Sequence, residues 1–145
     1  LQCYLNDISK AEIKSKVDAA IENFELEKYR NYRAEELSAG YRKKLGIGVG
    51  LISESQIMLL DEPFSSLDFK TTSITKEIFK KRKKLGKILI VSTHTPALIS
   101  ELVDRIWLIQ NKSIIEFTNR EKIHNLIDSS MIDSHSSNEM LAWIQ

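Results

Sequence analysis

A single cysteine, Cys3, occurs in 145 residues, so no internal disulfide can form and no second thiol is present to build a zinc knuckle. This places the chain, by expectation, in a reducing compartment. Long apolar runs are also lacking. Ile88-Leu89-Ile90-Val91 and Ile106-Trp107-Leu108-Ile109 fall well short of the ~20 residues that cross a bilayer as a helix, and they read as strands. An excess of one charge is missing as well: 21 Lys and Arg face 20 Asp and Glu, which excludes a global field drawing the domain onto nucleic acid or anionic lipid. Leu1-Gln2-Cys3-Tyr4-Leu5 has no basic segment before it, so no signal peptide is read. With no initiator methionine, the expectation is that the chain begins inside a longer one.

What is present is an ordinary globular mixture, 42% hydrophobic and 28% charged, of a length that suits one domain of ~100–150 residues. Ile13, Val17, Ala20, Ile21 and Phe24 recur at helical spacing within Ser9 to Leu26, and Ser9 with Glu12 forms a capping box at its start. After a polar stretch, Ser38 can cap a second helix running to about Ser53. Ile57-Met58-Leu59-Leu60 reads as a buried parallel strand stopped by Asp61-Glu62-Pro63. A helix from Thr71 to Leu85 is expected next, with Ile74, Ile78 and Phe79 inward and Gly86 as its stop. There follow a strand Lys87–Ser92, a short helix Pro96–Val103, a strand Arg105–Gln110 and, through Asn111-Lys112, a hairpin partner Ser113–Phe117. Alternating strands and helices define an α/β fold. The tail offers a possible helix, Glu121–Asp128, a serine-rich stretch and a final apolar run, Met140-Leu141-Ala142-Trp143-Ile144, to which no specific structure is assigned.

The chemistry concentrates at Leu60-Asp61-Glu62, where an apolar strand ends in two adjacent carboxylates. One acid can orient Mg²⁺ and its water while the other polarises an attacking water, a division of labour that suits phosphoryl transfer. Leu37-Ser38-Ala39-Gly40-Tyr41 stands upstream, Ser65-Ser66-Leu67-Asp68 follows directly, and Ser92-Thr93-His94 closes the next strand. In this order the four elements resemble the signature motif, Walker B strand, D-loop and switch histidine of the ATP-binding cassette (ABC) ATPase family. The likeness runs from about Asp7 to Phe117.

The resemblance implies a partial P-loop NTPase (RecA-like) core joined to part of the helical ABC-signature subdomain. Residues 1–53 would be the helical part, 54–118 the second half of the catalytic core and 119–145 a tail. It makes Glu62 the general base, His94 the switch histidine that touches the γ-phosphate, and Asp61 the Mg²⁺-organising acid acting through water. Ser38, Ala39 and Gly40 would contact ATP held by the opposite subunit, at a helix N-terminus that favours anions. Ser66 and Asp68 would report nucleotide state across the dimer. The family form usually has glycine where Ala39 stands and often glutamine at Tyr41. Implied cofactors are ATP and Mg²⁺. Implied partners are a second ATPase domain and a membrane-spanning transporter subunit, with the protein peripheral on the cytoplasmic face of the membrane.

The family's phosphate loop, GxxxxGK[ST], does not occur in this sequence, and neither does the Q-loop that should precede the signature. Gly46-Ile47-Gly48-Val49-Gly50 falls inside the signature helix and reads as small residues for close helix packing. The family's N-terminal half is therefore expected as a further partner, and without it the sheet should lose central strands and leave apolar faces on Ile57–Leu60 and Lys87–Ser92 uncovered. The run Lys80-Lys81-Arg82-Lys83-Lys84 reads as cations offsetting a helix C-terminus, so nucleic-acid binding is not expected. His124 and His135 carry no ligand constellation. The reaction expected is ATP hydrolysis driving transport. Two alternatives stand beside it: a catalytically incompetent fragment or interaction module, and a soluble ABC ATPase acting on nucleic acid or ribosomes.

Overall fold

A computed structural model describes residues 9–110, 112–128 and 139–144. The chain divides into two compact units, one comprising the residues up to Ser55 together with Ser65–Thr75, the other Gln56–Phe64 and the residues from Lys76 onward.

The first unit is built on two helices, α1 (Lys10–Asn23) and α2 (Ala39–Ile52). Ser9 caps α1 through a complete capping box with Glu12, and Ser38 caps α2 by accepting from Tyr41 N–H. The two helices pack because α2 is thin where they meet. A β-carbon added at Gly48 would sit 3.5 Å from Ala20 Cβ and 3.6 Å from the ring of Phe24, ordinary contact distances. Phe24, Leu26, Leu37 and Ile47 are the buried apolar residues of this unit.

The second unit is a five-stranded sheet: β1 (Ile57–Asp61), β2 (Ile88–Thr93), β3 (Arg105–Gln110), β4 (Ser113–Phe117) and β5 (Glu139–Ile144), in the spatial order β1-β2-β5-β3-β4. The first two strands are parallel, with Ile57 opposite Ile88 and Asp61 opposite Ser92. β5 runs antiparallel to both β2 and β3, and the hairpin partner β4 lies antiparallel outside β3. One face carries a buried row across three strands, in which Val91 of β2 and Ile106 of β3 both lie opposite Ala142 of β5, and the half-buried Leu60 of β1 lies opposite Val91. The other face is open at β1, where Ile57 is 53% and Leu59 74% exposed. The run Ile57–Leu60 is thus a parallel strand but not one buried on both faces.

Helix α3 (Phe69–Lys84) crosses from one unit to the other and ends where Gly86 takes φ +70°, a conformation glycine adopts without steric cost. Its most deeply buried residues are Thr71, Thr75, Phe79 and Arg82, whereas the expected inward residues Ile74 and Ile78 are only partly covered. Thr75 can be buried because its hydroxyl donates to the carbonyl of Thr71 at 2.8 Å. The expected helix Pro96–Val103 is only a 3-10 turn, Pro96–Leu98, and α4 (Arg120–Asp128) packs near it. Ser129–Ser137 lies outside the described residues, as does Asn111 of the hairpin turn, whose neighbour Lys112 has φ 60°.

Because the space at Gly48 admits one methyl group, Gly48→Ala should stabilise the protein by ~0.5–1 kcal/mol through helix propensity. Gly48→Leu should cost ~1–3 kcal/mol through overpacking against Ala20 and Phe24. Urea unfolding of the two variants checks both signs.

Candidate functional site

The strand ends of the second unit carry the carboxylates. Parallel pairing sets Asp61 opposite Ser92, and the Ser92 hydroxyl donates to Asp61 Oδ1 at 2.5 Å. The same residue receives the chain beyond β1, because Glu62 N–H donates to both the carbonyl oxygen and Oγ of Ser92, at 3.2 and 3.0 Å. Glu62 is in the left-handed region, φ 44°, a conformation that costs a non-glycine residue free energy and must be held by its surroundings. The hold is visible at its side chain. Glu62 Oε1 accepts from the backbone N–H of His94 at 2.9 Å and lies 2.6 Å from His94 Nδ1. A carboxylate only accepts, so against it Nδ1 is the donor and the imidazole is fixed in ring orientation with Nε2 left for another partner. His94 is 70% exposed and Glu62 27%, so the pair sits at a surface a solute can reach.

In the first unit, the signature-like run meets the segment after the carboxylates. Leu37 is buried, Ser38 and Ala39 are exposed at the start of α2, and the Arg42 guanidinium donates to the carbonyl of Leu37 at 2.6 Å, fixing the chain's entry into the helix. Gly40 lies so close to the backbone of Ser66 that an added β-carbon would be 2.9 Å from its carbonyl oxygen. Ser66 is itself strained, with φ 63°. Asp68 anchors the same segment: its Oδ1 accepts from Thr71 N–H at 2.8 Å, and its Oδ2 accepts from the Thr71 hydroxyl at 2.9 Å and Lys44 Nζ at 2.9 Å. The Thr71 N–H, then Lys44, hold the Asp68 carboxyl well below the usual carboxylate range.

Two residues of this arrangement escaped the sequence reading. Ser92 was visible only as the residue before Thr93-His94, and its link to Asp61 depends on strand register. Lys44 did leave a signal. Gly40, Lys44, Ile47 and Gly48 share one face of α2, so a lysine stands on the inward stripe of a helix, and it is 5% exposed. Its ammonium also lies 5.1 Å from the Tyr41 ring centroid, while Tyr41 packs on Tyr29 at 4.3 Å.

The basic run on α3 is largely occupied by neighbours on its own unit. Lys76 and Lys80 pair with Glu101, Lys80 also with Glu77, and Lys83 with Asp104, while Arg82 is buried. Among the described residues, no group of three or more His, Cys, Asp or Glu side chains is placed to hold a metal, and no helix is long and apolar enough to cross a membrane.

Known structures share this architecture. A solved ATP-binding subunit of an ABC transporter superposes with a TM-score of 0.77 over 93% of this chain and 55% of that one, at 20% identity. The fold is that of the α/β P-loop NTPases. The ABC transporter family profile matches residues 2–65. An uncharacterized ABC transporter ATP-binding protein of Methanocaldococcus jannaschii is 30% identical over 82% of this chain and 45% of its own length. The methionine import ATP-binding protein MetN of Clostridioides difficile is 33% identical over 85% of this chain and 38% of its own length. The chain belongs to the ABC ATPase family, and it spans less than half the length of these curated relatives.

Two variants test the first-unit geometry. Gly40→Ala must displace the Ser66 carbonyl and should lower the thermal midpoint, although alanine is the better helix former. Asp68→Asn removes the counter-charge of a buried lysine and should cost ~1–3 kcal/mol at neutral pH, below the ~3–5 of a fully buried pair because Asp68 is 54% exposed. The Asp68 carboxyl is depressed in the folded state, so its contribution is complete above the unfolded value near ~4 and is lost as pH falls through the lower folded value. Urea titrations should show the gap between wild type and Asp68→Asn closing only in that acid range.

Proposed function

We propose that this chain supplies the signature and Walker B portions of an ABC ATPase that couples ATP hydrolysis to transport. The observation that carries the reading is the Glu62–His94 pair. A carboxylate at a strand end, held at 2.6 Å from an imidazole on the neighbouring strand's end, is arranged to orient a water and take its proton. In the proposed reaction that water's oxygen attacks the γ-phosphorus of ATP, the bond to ADP breaks, and the proton passes to Glu62. His94 holds Glu62 in place and offers Nε2 toward the γ-phosphate.

The donor set at β1 suits a hard cation: Asp61 offers anionic oxygen at an exposed strand end, with Ser92 fixing the carboxylate. Asp61 would hold Mg²⁺, which when bound neutralises phosphate charge. Ser38, Ala39 and the N–H groups opening α2 would receive the γ-phosphate of ATP held by a second ATPase domain, with Gly40 letting the 65–68 segment lie close behind. Ser66 and Asp68 would transmit its presence. Since GxxxxGK[ST] does not occur in the sequence, the phosphate-binding loop must come from another stretch of polypeptide. The relatives' printed roles, methionine import among them, support a membrane-spanning transporter partner, and with such a partner this portion would lie on the membrane's cytoplasmic face.

The test is phosphate release by this chain combined with a polypeptide that carries the phosphate loop. Hydrolysis should appear only in the mixture, and Glu62→Gln should reduce it by ~10²-fold or more while leaving ATP binding in place. Turnover unaffected by Glu62→Gln, or tight Mg-ATP binding by the chain alone, would overturn the assignment.

A further inference from the structure

Strand β4 closes the sheet on the side away from β1, and its outer edge has no neighbouring strand among the described residues. Its register with β3 fixes which backbone groups face outward. Gln110 lies opposite Ser113 with two residues between them, so this is the hydrogen-bonded pair that closes a two-residue hairpin. Alternation then turns the N–H and C=O groups of Ser113, Ile115 and Phe117 toward β3 and those of Ile114 and Glu116 outward. The bond from Trp107 Nε1 to Glu116 Oε1, at 3.1 Å, agrees with this, since side chains approach most closely at positions that exchange no backbone bonds. The edge is apolar at its centre, where Ile114 is 68% and Ile115 45% exposed. Soluble proteins blunt such edges with charge, yet here the two charges, Lys112 and Glu116, flank Ile114 and are of opposite sign.

We propose that the β4 edge is an interaction surface for a second copy of this chain, joined β4 to β4 about a two-fold axis at Ile114. The order Lys112, Ile114, Glu116 is what selects a second copy. An antiparallel pairing centred on Ile114 sets that residue against its own counterpart and brings each Lys112, at the turn, beside Glu116 of the other copy. The outward N–H of each Ile114 then donates to the C=O of the other. Centring on Ile115 instead would set Ile114 against Glu116 and Lys112 against Thr118, so the charge pattern picks one register. Glu116 can take part because its contacts with Trp107 and Arg105 both use Oε1, and Oε2 can accept from Lys112 of the second copy. The carboxylates Asp61 and Glu62 stand at the end of β1, on the opposite edge, so this association is independent of the proposed hydrolysis.

Sedimentation equilibrium of the intact chain, without nucleotide, tests the surface. A pair of five-residue strands is at the small end of protein interfaces, so a dissociation constant of ~10–1,000 µM is expected. Lys112→Glu and Glu116→Lys each set like charges against one another at two places and should weaken the dimer at least ~10-fold. An equimolar mixture of the two variants restores opposite charges at both places and should dimerise as the unaltered chain does. Residue-resolved hydrogen exchange reads the register: the amides of Ile114 and Glu116 should slow as concentration rises, while those of Ser113, Ile115 and Phe117, already bonded to β3, should not change. A chain that stays monomeric to ~1 mM, a dimer indifferent to both charge reversals, or a mixture no better than either variant alone would each overturn the proposal. If Glu116→Lys fails to fold, exchange at Ile114 and Glu116 in the unaltered chain decides alone, and rates there that do not depend on concentration sink the surface.

Discussion

The parallel pairing of β1 with β2 is the constraint on which the second unit's chemistry depends. Register alone sets Asp61 against Ser92 and brings Glu62 beside His94, although about thirty residues separate each pair in sequence. A slip of one residue would move every side chain to the opposite face and separate both pairs. Burial alternates along β2, where Leu89, Val91 and Thr93 are buried, and such a slip would take all three off the packed face. Packing on one side of the sheet thereby fixes polar geometry at its end.

In the first unit the corresponding constraint is close approach. Gly40 brings α2 against the Ser66 carbonyl, and Lys44, one turn further along the same helix face, reaches Asp68 on the same segment. One contact is steric and the other ionic. Together they hold a strained residue, Ser66, in a conformation its own preferences disfavour. The N-terminal end of α2 and the segment before α3 are thus a single mechanical piece.

Much of this was legible in the sequence. The capping box at Ser9, the Ser38 cap, the strands at 57 and 88, the stop at Gly86 and the hairpin to Ser113–Phe117 are local patterns with local causes, and the structure places each within a residue or two of the reading. Misses arose where the cause is distant. Thr71 and Thr75 are buried in place of Ile74 and Ile78 because the orientation of α3 is set by its packing, and a threonine can satisfy its own hydroxyl within the helix. The run Met140–Ile144 is too short and too evenly apolar to show a period, so nothing in it indicated a strand, still less a central one. Of the site, the residue types at 61, 62 and 94 could be read directly; Ser92 and Lys44 needed register and helix face.

The central place of β5 also sets a timetable. Leu89 pairs with Ile144 and Ile106 with Ala142, contacts of long sequence separation that make sheet closure a late and slow event. As the polypeptide leaves the ribosome, residues 57–117 are complete well before residues 139–144 are made. For that interval, about one to several seconds at ordinary elongation rates, two facing strand edges stand open in the nascent chain. The strand that closes them, β5, is the last of the five to be synthesised.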